Sequence, residues 1–208
     1  MTLVELMVGT AVGLIVLSGV ITMSAGQLAA QRRLQLQTQV QQDLRRTAEL
    51  VAREFRRAGH WSGATTAGMQ PVVNPLAALT HPAPGEVGLR YSRSPTQDGP
   101  FGFRLQSGVL RTRLGGAGWQ DLSDGTTLRL TRFDVDEAPL PAQPLSCPRR
   151  CADGGTGCWP RLQARLLRVT LEGHAVHDPA LRERVALQVR VRNDALVPGP
   201  TGIAAECP

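Results

Sequence analysis

The apolar and polar positions divide this chain into three regimes. From Leu6 to Gly26 there are 21 residues without a charge, rich in Val, Leu, Ile, Gly and Ala. As a helix that run is roughly 31 Å long, enough to cross a hydrocarbon core of about 30 Å. Residues 27–58 then contain neither Gly nor Pro, and Leu36, Val40, Leu44, Ala48, Val51 and Phe55 recur every three or four positions. This is the pattern of a helix with one buried stripe. Arg32, Gln35, Gln39, Asp43, Arg46 and Arg53 fall on the other faces, with Asp43–Arg46 and Glu49–Arg53 at helical pairing distances. Arg56-Arg57-Ala58-Gly59 supplies basic residues for the last turn and a glycine to stop it. The expectation is one helix of roughly 55 residues, ~80 Å long, apolar in its first half and amphipathic in its second.

Beyond Gly59 the period changes to two. Residues 60–85 carry Pro71, Pro75, Pro82 and Pro84, and little regular structure is expected before Glu86. Strands are predicted over Val87–Tyr91, Phe101–Leu105 and Val109–Arg111, the last two joined by a tight turn at Gln106-Ser107-Gly108. Gly115–Gly118 reads as another turn, because no helix pattern or Lys-Ser/Thr follows it. Thr127–Val135 alternates, but Leu128, Leu130, Phe133 and Val135 share a face only after one shift of register. Residues 138–160 are rich in Pro, Gly and Cys and are expected to form a loop. Leu162–Leu171 and Val185–Val191 are the two clearest strands, linked by a polar stretch around His174–Arg184. One long helix followed by a run of strands predicts an α+β fold, with the helix packed on an antiparallel sheet. The expected organisation is an anchoring helix at 1–26, its amphipathic continuation at 27–59 and a β-rich head at 60–208.

A secretory signal would have an apolar core of only ~7–15 residues and a cleavage site behind it, whereas this run flows into more helix and reads as a retained anchor. A carboxylate, Glu5, stands at its start. An acid deep in a membrane helix costs roughly 2.5–3.5 kcal/mol, so Glu5 wants a partner, and residue 1 lies one helical turn away. Gly9, Gly13 and Gly19 allow close helix approach, with Gly9 and Gly13 in a Gly-x3-Gly pair.

The string Thr2-Leu3-Val4-Glu5-Leu6-Met7-Val8, leading into an uninterrupted apolar helix, resembles the N-terminal signature of type IV pilins and pseudopilins. The resemblance implies that a prepilin peptidase cuts before Met1 and methylates its amine, with Thr2, Leu3 and Glu5 forming the rest of the processing and assembly site. Met1 is then the mature end, and a short basic leader ending in Gly is expected before it. Met1 stands where that family usually has Phe, and Thr22 where many major pilins have Pro. The segment 45–59 and the closing 185–193 resemble PilW-type minor pilins more specifically, with 185–193 as the terminal strand. A minor pilin of that kind inserts in the inner membrane, joins major and minor pilins in a pilus and carries an extracytoplasmic head. The J-type pseudopilin of type II secretion has a comparable layout.

Charge and chemistry add less. All 23 basic residues are Arg, and the formal charge is +6. The excess is shared, with seven Arg against four acids in 1–59 and sixteen against thirteen in 60–208. No concentrated basic patch is visible, so nucleic-acid binding by a DNA-capturing head through residues such as Arg56 and Arg57 is a secondary expectation. Four cysteines allow three pairings, and an oxidising compartment favours disulfides over a zinc site. The preferred pairing is Cys151–Cys158 across a Gly-rich loop and Cys147–Cys207 tying back the tail. His174-x2-His177 lacks a third ligand and reads as loop. No nucleophile motif or carboxylate pair in a recognisable setting is present. A non-enzymatic chain without metal or cofactor is expected.

Overall fold

A helix, α1, spans Leu3–Arg57 without a break, as the long Gly- and Pro-free stretch requires. The computed structural model describes residues 2–62, 74–94, 97–138 and 140–197. The chain divides into two compact units, residues 1–40 and 41–208. The first is helical from Leu3 onward. The second holds the last turns of α1 and, among the described residues, eleven strands.

The largest sheet is antiparallel and contains β1 (Thr80–Ala83), β2 (Glu86–Ser94), β3 (Gln97–Gln106), β4 (Val109–Leu114) and β5 (Gln120–Asp121) in sequential order. β1 is a four-residue strand within the span 60–85, where little regular structure is expected. It lies at the sheet edge, where Pro82 is tolerated because a missing N–H there need not break an inner ladder. The β3–β4 turn closes on the Gln106–Val109 pair, and its two central residues, Ser107 (φ 53°) and Gly108 (φ 82°), both have positive φ. That is the type I′ geometry that matches strand twist, and glycine supplies half of it without steric cost.

A second antiparallel sheet has the order β10 (Arg182–Arg190), β9 (Leu166–Ala175), β6 (Leu128–Glu137). The register shift read in the sequence of β6 is a bulge between Leu130 and Arg132, and it puts Leu128, Leu130, Phe133 and Val135 all in the core. A third, small sheet has the order β11 (Ala195–Val197), β8 (Arg161–Gln163), β7 (Gln143–Pro144).

Three expectations are corrected here. The span 138–160 is not wholly loop, since β7 pairs with β8. The strand expected over 162–171 is two strands in different sheets. Arg165 sits at the break with its side chain 7% exposed, its guanidinium donating to the Ala77 carbonyl and lying 3.5 Å from Glu137 Oε1. A charge so buried must be paired, and the chain leaves the ladder there to pair it. β10 is likewise not terminal, because β11 follows it.

From Leu44 to Phe55 the helical stripe is buried, with Leu44, Ala48, Val51, Ala52 and Phe55 at the core of the second unit. Phe55 lies 5.7 Å from Phe103 of β3, which lies 6.4 Å from Phe133 of β6. One aromatic chain therefore joins helix, first sheet and second sheet. Truncating such a ring to Ala removes on the order of 3–5 kcal/mol. Asp43 accepts from Thr127 Oγ1 at 3.1 Å and pairs with Arg46 at 3.8 Å. The Glu49–Arg53 pair expected alongside it is absent from the ion pairs of the described residues. Gly59, at φ +72°, ends the helical run in the left-handed conformation that glycine adopts without strain.

Candidate assembly helix and its cap

The first unit is built outward from Thr2. Thr2 is not helical and Leu3 is the first helical residue, so Thr2 occupies the N-cap and Glu5 the third position inside. The Glu5 amide donates to Thr2 Oγ1 at 3.4 Å and to the Thr2 carbonyl at 3.1 Å. In return Glu5 Oε2 accepts from the Thr2 amide at 3.0 Å and from its hydroxyl at 3.4 Å. This is a capping box, in which two orphan donors are satisfied reciprocally. The spacing Thr-x-x-Glu signals it in the sequence, although the partner expected there for Glu5 is the amine of residue 1. Met1 itself lies outside the described residues.

Downstream, no part of the apolar window is buried within the chain. Leu3, Ile15 and Met23 are 77%, 71% and 69% exposed. The helix is long and apolar enough to cross a membrane. Three of its hydroxyls satisfy themselves, since those of Thr10, Ser18 and Thr22 donate to the carbonyls of Met7, Ile15 and Gly19 at 2.8–2.9 Å. Such back-bonding lets hydroxyls sit in lipid without an unpaired donor. At Gly9, Gly13 and Gly19 an added Cβ would meet nothing within 4 Å. The glycines are open in the isolated subunit.

In the head, Cys151 and Cys158 form a disulfide with a Cα–Cα distance of 5.8 Å. The loop they close is also hydrogen-bonded internally, by Cys151 N to Gly155 O at 3.0 Å and Gly154 N to Cys151 O at 2.8 Å. Cys147 is disulfide-bonded as well. The expected Cys147–Cys207 pairing lies outside the described residues, because Cys207 does. His174 belongs to β9 and its Nδ1 lies 3.0 Å from the Ala175 carbonyl oxygen, while His177 follows in the connection to β10. Among the described residues no His, Cys, Asp or Glu cluster has the geometry to hold a metal ion.

A family model described as prepilin peptidase-dependent protein B matches residues 33–191. The chain belongs to that family. The matched span runs from the second part of α1 through the head to the end of β10, and the capped apolar start of the helix precedes it. The prepilin peptidase-dependent protein B description points to a pilus-related, structural protein. No curated protein matches the chain, and no solved structure does.

Proposed function

We propose that this chain is a minor pilin of the PilW type. Residues 1–26 hold it in the inner membrane with its head outside the cytoplasm. Prepilin peptidase cuts before Met1 and methylates the amine this frees. Residues 1–26 next pack against the same segments of major and minor pilins as the subunit is drawn into a pilus. The observation that carries this reading is the capped, wholly exposed apolar segment at the start of a helix whose later turns nucleate a head of the prepilin peptidase-dependent family.

In the isolated subunit Glu5 is occupied by its own cap. On assembly the amine of a neighbouring subunit supplies a charged partner, and the pair sets axial register because breaking it in an apolar surrounding leaves a lone charge. Two variants separate these roles. Glu5→Ala removes both cap and charge, while Glu5→Gln keeps a residue suited to the capping box and removes only the charge. Both are expected to remain in the membrane fraction and to lower pilus number severalfold when pili are counted by electron microscopy. Normal piliation in Glu5→Gln would sink the assembly role of the charge and leave Glu5 as a cap alone.

A further inference from the structure

Three segments of the head, far apart in sequence, bring arginines to one place. α1 ends on Arg56 and Arg57, β2 carries Arg93, and Arg192 follows β10. Together they line a cavity of about 460 Å³. Its frame is fixed by the backbone. The Arg192 amide donates to the Arg56 carbonyl at 3.1 Å, and the Ser92 amide to the His60 carbonyl at 2.6 Å. Asn193 Nδ2 donates to the Ala58 carbonyl at 3.1 Å. Below lies Tyr91, 3% exposed, stacked on Phe101 with ring centroids 3.9 Å apart.

The charges do not balance. Glu54 is the acid at this place, and both its oxygens are engaged, Oε2 by the Tyr91 hydroxyl at 2.6 Å and Oε1 by Arg57 at 3.4 Å. Asp194, the next acid along the chain, faces Arg190 at 3.4 Å. Among the described residues no carboxylate lies within ion-pair distance of Arg56, Arg93 or Arg192. Like charges held this close repel unless an anion joins them, and the guanidinium fork matches phosphate oxygens in pairs. With four guanidiniums against one carboxylate, a doubly charged group is the better complement. A terminal phosphate carries about two charges at neutral pH, a backbone phosphodiester only one.

We propose that this cavity binds a soluble ligand bearing a terminal phosphate, held between Arg56, Arg57, Arg93 and Arg192. It uses no residue of the apolar segment 1–26, and so goes beyond the reading as a pilin. Isothermal titration calorimetry on the full chain in uncharged detergent micelles, at low salt, tests it with inorganic pyrophosphate as the probe. Saturable binding to one site is expected, weakened about tenfold or more by Arg93→Gln and by Arg192→Gln, which corresponds to about 1.4 kcal/mol. Both side chains are exposed, so neither change empties the core. Arg168→Gln removes the same charge from an exposed position on β9 and is expected to change affinity less than about twofold. Absence of binding, or an equal loss in Arg168→Gln, overturns the site. Tighter binding of a single-stranded oligonucleotide without a terminal phosphate overturns the ligand class.

Discussion

Tyr91 shows how much one residue can report on the head. It is the single tyrosine in the chain, so its ionisation can be followed without interference. Burial, and then the Glu54 carboxylate that accepts its hydroxyl proton in a hydrogen bond, push its pKa up to about 12. Because the folded value lies above the unfolded one, the contribution to stability is complete below about pH 10 and is lost as pH rises through about 12. Tyrosinate absorbance is expected to titrate near pH 12 in the folded chain and near pH 10 in denaturant, and a folded midpoint at 10 would contradict the buried pair. Tyr91→Phe leaves Glu54 with a lost donor and is expected to cost about 1–3 kcal/mol in urea denaturation. Glu54 was not legible as a partner from the sequence. It sits 37 positions from Tyr91, and only the packing of β2 on α1 brings the two together.

At the scale of elements, the Cys151–Cys158 loop is held by its disulfide and by two backbone hydrogen bonds. Closing a loop of this length removes chain entropy worth about 2–3 kcal/mol from the unfolded state. Cys151→Ser with Cys158→Ser is therefore expected to lower the unfolding free energy from urea denaturation by that amount, and the midpoint with it, with the far-UV spectrum unchanged. A midpoint within error of the native chain would assign the loop no structural role. The helix and most strands were legible because periodicity writes burial directly into sequence, and even the bulge in β6 showed as a slip in alternation. Arg165 was not, because an arginine between alternating residues looks like a solvent-facing position, and its partners on Ala77 and Glu137 come from distant segments. β1 and β7 escaped for a related reason. Strands of four and two residues containing proline have no period to read, and exist because a neighbouring edge is there to pair with. The basic cavity is the extreme case, assembled from three short stretches, each an ordinary Arg-containing surface by itself.

For the whole molecule, the physical problem is an apolar segment that the chain does not bury. Contiguous apolar surface on that scale is found where lipid or protein covers it, and the two covers make different demands on the glycines. In lipid, Gly9 and Gly13 have open space and a larger side chain meets nothing. A leucine there even favours the helix by about 1 kcal/mol per site. Between packed helices, the same leucine holds the backbones apart. Gly9→Leu with Gly13→Leu is therefore expected to keep the subunit in the membrane and leave the thermal midpoint of the head unchanged, while pilus number falls. Insertion, folding and cleavage before Met1 serve as internal controls, so that a loss of pili with all three intact points to contact between subunits. Undiminished piliation would show that this face of the helix never meets another.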